Sequence, residues 1–254
     1  MLQIHQFPCL SDNYGFLAHE PASGATATID TPDSEEILRQ ASAKGWRITD
    51  IWNTHWHPDH AGGNAAIKAA TGARVSGPAE VERIGQAPDR VVGEGDLIEL
   101  GGAQARVLEV GGHTLGHIAY VFDDEKIAFV GDALFSMGCG RLFEGTPEQM
   151  WTSLQKIASL PPESALYCAH EYTEANAKFA IYYDPVNRDL QARIEEVKRL
   201  RAEGKPTVPM TLATELKTNP FLRAPQLKHS IMRPDATDVE AFADLRKRKD
   251  SFKG

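Results

Sequence analysis

The spacing of apolar positions changes once along the chain, and the change predicts two kinds of architecture. Up to His170, short apolar or alternating runs between Gly, Asp and Asn clusters predict strands, with helices between some of them. From Thr173 onward the apolar positions recur at helical spacing, and we expect no further strand there. We therefore predict a mixed α/β domain over 1–172 and a helical domain over 173–254.

Local signals predict where some elements begin. Ser34 is expected to cap a helix over 35–44, because a serine oxygen can accept the hydrogen bonds of the first helical N–H groups. Thr146 is expected to cap another helix over 147–160, which has a proline in its first turn. Before these, the run RITDIWNT predicts a buried strand that leads directly into the segment THWHPDH.

Composition and charge exclude several classes of protein. The chain has 254 residues, of which 42% are hydrophobic and 24% charged, so it can bury a core. No run approaches the roughly 18 apolar residues of a membrane span, and no secretory signal is apparent. A net charge of −8 argues against nucleic-acid binding, and three widely spaced cysteines argue against a disulfide framework. We expect a cytoplasmic, monomeric protein that acts on a small molecule without a nucleic-acid or membrane partner.

The strongest chemical signal is the segment THWHPDH, residues 54–60. It places three imidazoles and one carboxylate within six residues, and zinc, iron and manganese all accept such ligands. His55 and His57 point the same way in an extended segment, whereas the following turn can direct Asp59 and His60 toward a second position. One loop could therefore supply two adjacent metal ions. A polar histidine-rich loop without a metal is the alternative interpretation.

Further donors follow later strands. His113 lies in the glycine-rich loop GGHTLGH, Asp132 ends the apolar run FVGD, and His170 ends YCAH. Considered alone, Asp132 could cap a turn and His170 could be an ordinary buried histidine. Together with the first loop they form a seven-residue set, as expected for a site along one rim of a sheet. His117 begins an apolar strand, and we interpret it as a supporting or structural histidine.

These motifs resemble a known superfamily. The order THWHPDH, GHTLGH, GD and a late histidine is similar to the metallo-β-lactamase superfamily over residues 1–170. The segments CGRLFEGT, AHEYT, TNPFLR and RKRKDSF resemble the hydroxyacylglutathione hydrolase (glyoxalase II) family, and this likeness extends through the helical tail. The resemblance implies an α+β fold: a metallo-β-lactamase-type αββα sandwich followed by a C-terminal all-α, substrate-binding domain.

The resemblance also implies two divalent metal ions, zinc first, with iron or manganese as alternatives. One ion would be held by three histidines: His55, His57 and His113. The other would be held by one carboxylate and two imidazoles: Asp59, His60 and His170. Asp132 and a hydroxide would bridge them, and Asp59 would also orient the attacking hydroxide.

For the substrate, the resemblance implies five glutathione contacts: Arg141, Phe143, Tyr172, Arg246 and Lys249. Two of them depart from the common family residues. Phe143 stands where tyrosine is common and lacks the hydroxyl, and Arg141 stands where lysine is common, which changes the donor geometry. Arg246 and Lys249 are three residues apart in a basic tail, so they share one helical face. From charge alone, a solvated tail is the alternative.

The implied reaction is hydrolysis of S-(2-hydroxyacyl)glutathione, with S-D-lactoylglutathione giving D-lactate and glutathione in the second step of methylglyoxal detoxification. Cys139 and Cys168 have no evident activating base, so we expect packing roles for both. The alternatives are a lactonase or related hydrolase of the same fold, a glutathione persulfide dioxygenase with a single iron, and a non-catalytic metal-binding protein. The dioxygenase would not need Asp59 and His60.

Overall fold

The computed structural model describes residues 1–253, which form two compact units. The first unit contains residues 1–109 and 116–131, and the second contains residues 110–115 and those from 132 onward. Within the described part of the chain, no helix combines the length and the apolar character that a membrane crossing requires.

One sheet of the first unit combines a meander with a parallel half. Its strands lie side by side in chain order: β1 (Gln3–Cys9), β2 (Asn13–Glu20), β3 (Ala25–Ile29), β4 (Asp50–Trp52), β5 (Arg74–Gly77) and β6 (Arg90–Val91). Strands β1 to β3 are antiparallel, whereas β3 to β6 are parallel. The carboxyl ends of β3 and β4 therefore meet at one edge, where the segment THWHPDH begins.

The other sheet of this unit is antiparallel. Its strands are adjacent in the order β7 (Leu97–Leu100), β8 (Ala103–Glu109), β9 (Ile118–Phe122) and β10 (Ile127–Gly131). Large rings connect the two sheets, with Trp52 centred 5.1 Å from Tyr120 and Phe16 centred 5.6 Å from Phe129. Since each buried aromatic side chain removes a large apolar area from water, these contacts stabilise the two-layered core.

The helices of the first unit are α1 (Ser34–Lys44), α2 (Pro58–Ala61) and α3 (Asn64–Thr71). The predicted cap at Ser34 is wrong by one residue. Asp33 caps α1, and its carboxylate accepts hydrogen bonds from the N–H groups of Glu35 and Glu36. Asp33 has extended backbone geometry while Ser34 is already helical, and the negative charge also suits a helix N-terminus.

The second unit is mainly helical, and its residues from Thr173 onward contain the helices that the apolar spacing predicts there. Its longer elements are α4 (Pro147–Ala158), α5 (Thr173–Tyr183), α6 (Arg188–Ala202), α7 (Leu212–Thr218) and α8 (Asp238–Ser251). Thr146 caps α4 as predicted, by accepting a hydrogen bond from the Gln149 N–H. Strands β11 (Leu134–Phe135) and β12 (Gly138–Cys139) form a tight hairpin.

The expectation of no strand after His170 is wrong. A two-residue strand, β14 (Met210–Thr211), pairs antiparallel with β13 (Ala165–Cys168). Two residues are too few to show a periodicity in the sequence, so only the long-range pairing reveals this strand.

Candidate metal centre

In the first unit, the segment THWHPDH leaves β4 and turns into α2, and buried polar side chains hold it in place. Asp30, at the end of β3, accepts hydrogen bonds from the Thr54 N–H at 2.7 Å and the Thr54 hydroxyl at 2.8 Å. Asn53 donates from its side chain to the His60 carbonyl at 3.0 Å. The backbone of this loop is therefore fixed by its immediate neighbours.

The loop brings its four predicted ligands together. His55 Nε2 lies 3.0 Å from His57 Nδ1, and the His55 ring is centred 4.0 Å from that of His60. His60 Nε2 lies 3.5 Å from Asp59 Oδ2. His55 and His60 are buried, whereas the Asp59 side chain is 39% exposed. Asp59 and the half-buried His57 are therefore the members of this group that solvent can reach.

Hydrogen bonds orient the imidazoles of this loop. His60 Nδ1 donates to Asp30 Oδ2 at 2.9 Å. The Thr54 hydroxyl donates to Asp30, so its oxygen accepts from His55 Nδ1 at 3.1 Å. With Nδ1 protonated, each neutral ring presents the lone pair of Nε2, which is the arrangement that supporting groups give to metal-bound histidines.

Sequence reasoning missed two supports of this loop, Asp30 and Asn13. Asn13 donates from its side chain to Asp59 Oδ2 at 3.1 Å. Asp30 was detectable in principle, because it ends the run ATATID and the carboxyl ends of neighbouring parallel strands meet at one edge. Asn13 lies in a turn signal, where a side chain of this type is ordinary, so no comparable pattern indicates its contact with Asp59.

The second unit brings the other three predicted ligands together. Asp132 Oδ2 lies 3.4 Å from His113 Nε2, and Asp132 Oδ1 lies 3.4 Å from His170 Nε2. All three side chains are buried. One carboxylate thus presents its two oxygens to two different imidazoles, which is the geometry expected of a group that contacts two ions.

Backbone groups and one aromatic ring orient these three ligands. His113 Nδ1 donates to the Arg141 carbonyl at 2.9 Å, which leaves Nε2 directed toward Asp132. Gly140 packs so closely that a Cβ atom there would lie 2.1 Å from the Asp132 carbonyl oxygen. The His170 ring stacks on Tyr172, with centroids 4.8 Å apart and planes 3° apart.

The donor types and spacings fit a metal. A tetrahedral ion with ligand bonds of about 2.0–2.1 Å sets neighbouring donor atoms about 3.3–3.4 Å apart. The three imidazole–carboxylate distances are 3.4, 3.4 and 3.5 Å. Imidazole and carboxylate donors suit zinc, iron and manganese alike. Each unit therefore contains a donor group with the chemistry and spacing of a transition-metal ligand set.

His117 and the cysteines stand apart from these donors. His117 is buried, and its ring stacks on His55 with centroids 4.6 Å apart. Cys139 and Cys168 are free and buried. Burial raises the pKa of Cys139 to about 11 and that of Cys168 still further, so both thiols stay protonated at neutral pH. These pKa values favour the predicted packing role over a nucleophilic one.

Two predicted glutathione contacts flank the ligands of the second unit. Phe143 is 62% exposed and meets the His113 ring edge-on at 5.1 Å. Tyr172 is partly exposed and lies against His170. The Arg141 side chain is also exposed, and its Nε lies 3.9 Å from Asp250 Oδ1. An aromatic group therefore lies beside each of the two histidines.

The two predicted contacts on α8 differ in their surroundings. Arg246 is only 4% exposed, and its guanidinium donates to the Cys139 carbonyl at 2.7 Å and to Asp250 at 2.9 Å. Lys249 is partly exposed. Burial, and then the Arg246 and Arg141 cations, lower the pKa of Lys249 to about 8. Lys249 is thus charged at neutral pH and more accessible than Arg246.

Two family models together match nearly the whole chain. The model of the metallo-β-lactamase superfamily matches residues 21–170, and the model described as the hydroxyacylglutathione hydrolase C-terminus matches residues 171–252. A relative from Erythrobacter litoralis named hydroxyacylglutathione hydrolase is 58% identical over 252 residues, covering 99% of this chain and 100% of the relative.

Solved structures show the same fold at lower identity. The crystal structure of ETHE1 from Myxococcus xanthus superposes with a TM-score of 0.69 at 23% identity, covering 96% of this chain and 90% of that one. The crystal structure of TTHA1623 in a di-iron-bound form superposes with a TM-score of 0.61 at 24% identity, covering 87% of this chain and all of that one. The predicted sandwich with a helical C-terminal domain is therefore confirmed.

Proposed function

Because the chain belongs to the metallo-β-lactamase superfamily and, within it, to the hydroxyacylglutathione hydrolase family, we propose that it hydrolyses S-(2-hydroxyacyl)glutathione thioesters, S-D-lactoylglutathione first among them. The products would be D-lactate and glutathione, as in the second step of methylglyoxal detoxification. The observation that carries the proposal is Asp132, whose two oxygens each lie 3.4 Å from a different histidine.

We assign seven ligands to two divalent ions. One ion would take three histidines: His55, His57 and His113. The other would take Asp59, His60 and His170, and Asp132 would contact both. The spacing of the donors within each unit supports this assignment. We propose zinc as the resident metal, with iron or manganese as alternatives that the same donors accept. When bound, such ions would lower the pKa of a water molecule and polarise the thioester carbonyl.

The chain itself would supply orientation and proton handling. Asp59 is partly exposed and accepts a hydrogen bond from Asn13, and we propose that it orients the attacking hydroxide. No side-chain nucleophile is needed, since the Cys139 and Cys168 thiols stay protonated. The leaving thiolate needs no strong general acid, because thiols ionise with a pKa of about 8.5.

The second unit would bind the glutathione moiety. Glutathione carries two carboxylates, which suit the cations of Arg141 and Lys249. Arg246 would add its charge and its Nε, which has no hydrogen-bond partner among residues 1–253. Phe143 and Tyr172 would pack against the peptide beside the thioester. We propose a substrate-binding domain over residues 173–254. Arg141, Phe143 and Tyr172 belong to the second unit but precede this domain, and they would add their contacts from the domain over 1–172.

We further propose that the protein acts as a monomer in the cytoplasm. Three cysteines among the described residues are free, and reduced cysteines are typical of a reducing compartment.

The first test is the rate of S-D-lactoylglutathione thioester loss by the purified full-length chain, with metal counted per chain before and after chelation. We expect turnover with close to two metals, abolished by chelation and restored by zinc. Asp132→Asn should lose metal and turnover together, because it removes a charged ligand. His229→Ala is the matched control, since His229 is exposed and outside the ligand set, and it should change neither quantity.

Other outcomes would replace the proposal. Two metals with turnover of a lactone, and none of the glutathione thioester, would assign a different hydrolase of the same fold. One iron per chain with oxygen-dependent consumption of glutathione persulfide would assign the dioxygenase. Metal binding without turnover of any of these substrates would leave a metal-binding protein.

A further inference from the structure

The hairpin of β11 and β12 connects two parts of the proposed metal centre. It occupies residues 134–139, immediately after Asp132. Two residues beyond it, the Arg141 carbonyl accepts the hydrogen bond that orients His113. The Gly140 N–H also reaches back to the Ala133 carbonyl at 3.4 Å, so the ends of the segment lie close together. A shift of this hairpin would therefore move a ligand at one end and an orienting carbonyl at the other.

Asn219 holds the backbone of the hairpin. Its side-chain nitrogen donates to the Phe135 carbonyl at 3.0 Å and to the Gly138 carbonyl at 2.9 Å. Its side-chain oxygen accepts from the Phe221 N–H at 3.0 Å. Asn219 is fully buried and belongs to the segment TNPFLR, for which the proposed reaction provides no role. Two of these hydrogen bonds fix one residue on each strand of the hairpin, and the third anchors the Asn219 amide itself.

Glu215 holds the turn of the same hairpin. Its carboxylate accepts from the Met137 N–H at 2.8 Å, from the Ser136 hydroxyl at 3.3 Å and from the Asn219 side chain at 3.0 Å. Met137 has φ +53°, in the left-handed region that a non-glycine residue seldom adopts. Such a conformation persists only where surrounding contacts determine it, and Glu215 supplies them.

Burying the Glu215 carboxylate costs free energy, and α7 does not need this group for its own stability. Glu215 has no exposed surface. Apolar residues of similar volume often replace a buried ion pair without loss of stability, so a buried ionisable group is weak evidence for a stabilising role. What Glu215 and Asn219 share is their spacing of four residues at α7 and their common target, the hairpin that follows Asp132.

We propose that Glu215 and Asn219 are positioning residues for the metal centre: they hold the hairpin so that Asp132 and the Arg141 carbonyl stay where the ions require them. This inference rests on the proposed ligand set. The C-terminal helices would then affect metal binding as well as substrate binding, because side chains at α7 would determine how tightly the chain binds its metal ions.

The test compares zinc dissociation constants of full-length apoprotein variants, measured by competition with a chromophoric chelator. Asn219→Asp keeps the shape of the side chain but directs an oxygen at the two hairpin carbonyls and at Glu215. We expect its zinc dissociation constant to rise by about 10–100-fold, the usual effect of losing a group that orients metal ligands. The visible spectrum of the cobalt-substituted protein should also shift, because the geometry around the ion changes.

Three further variants distinguish a positioning role from general destabilisation. Glu215→Ala removes the acceptor of the Met137 N–H, so its zinc dissociation constant should also rise by about tenfold or more, and an unchanged constant would exclude Glu215 from the positioning role. Glu215→Gln keeps an oxygen for Met137 and Asn219 and can donate to Ser136, so it should bind zinc like the wild type. Leu227→Ala removes a buried apolar side chain elsewhere in the second unit. It should lower the midpoint of thermal unfolding without changing zinc affinity. Should Asn219→Asp fail to fold, Asn219→Ser, which keeps one donor, takes its place with a rise of about tenfold expected.

The outcomes separate this inference from the proposed function. Unchanged zinc affinity and an unchanged cobalt spectrum in a folded Asn219 variant would overturn the positioning role while leaving the hydrolase intact. An equal loss of zinc affinity in Leu227→Ala would also overturn it, because general destabilisation would then explain the effect. A wild-type protein that binds two zinc ions but does not hydrolyse the thioester would contradict the proposed function and leave the positioning test valid.

Discussion

The two groups of proposed ligands contain the same kinds of donor atom but are built in different ways. In the first unit, four ligands come from one loop of six residues, 55–60, and the supporting Asp30 ends the neighbouring strand. In the second unit, His113, Asp132 and His170 come from three distant segments. The hairpin after Asp132 depends on side chains 78 to 84 positions away. The first group is therefore a property of a motif, and the second is a property of the tertiary structure.

The largest effect is expected from removing the support of the first group. Asp30→Ala leaves three buried donors without their acceptor: the Thr54 N–H, the Thr54 hydroxyl and His60 Nδ1. Each buried donor left unsatisfied costs about 1–3 kcal/mol, so the midpoint of thermal unfolding should fall strongly. The zinc dissociation constant should rise by about 10–100-fold, because the His60 ring loses its orientation.

Asp33→Ala is the matched control for this prediction. Asp33 lies three residues away and caps α1 without contacting the metal loop. Losing a cap typically costs about 1 kcal/mol, so this variant should unfold at a lower temperature and keep its zinc affinity. If both variants weakened zinc binding equally, the proposed orienting role of Asp30 would be wrong.

A smaller effect is expected at Glu215, which holds the hairpin beside the second group of ligands. Its contribution to the free energy of unfolding should depend on pH. Burial raises the pKa of Glu215 from the ordinary 4.5 to about 7, although hydrogen bonds from Met137 and Asn219 and the Arg193 cation on α6 oppose the shift. Between these two pKa values the folded chain holds a proton at Glu215 that the unfolded chain has lost. The contribution of Glu215 to the free energy of unfolding therefore falls as the pH rises from about 4.5 to 7.

Denaturant unfolding of the wild type and Glu215→Gln at about pH 5 and pH 8 measures this contribution. The wild type should lose stability relative to the glutamine variant at the higher pH, since glutamine has no proton to lose. The Cys168 thiol on β13, which also interacts with Glu215, stays protonated throughout this range. A stability difference that does not change with pH would show that Glu215 does not titrate between these values.

The same contrast explains how much the sequence predicts. The loop over 55–60 is recognisable because its ligands are neighbours and a strand precedes them. Asp132 and His170 are ambiguous when considered alone, and they join the predicted set because each follows a strand at the same expected rim. Only the resemblance to a family divides that set between two ions. Glu215 lies in the short helix α7 and Asn219 directly follows it, and the local pattern around each residue gives it no role. Their role depends on contacts that no spacing encodes, so only the tertiary structure reveals it.

The smallest predicted effect is a change in KM at Phe143, whose exposed ring lies beside His113. Phe143→Tyr adds a hydroxyl to an exposed ring that already meets His113 edge-on, so neither the packing nor the ligands should change. One added hydrogen bond contributes about 0.5–1.5 kcal/mol, which lowers KM for a glutathione thioester by about twofold to tenfold. Steady-state kinetics should show this fall in KM with kcat and zinc content unaltered, whereas Phe143→Leu should not lower KM. An unchanged KM in the tyrosine variant would mean that bound glutathione offers no partner to a hydroxyl at this position. Charged side chains and ring packing would then account for the binding of glutathione beside His113.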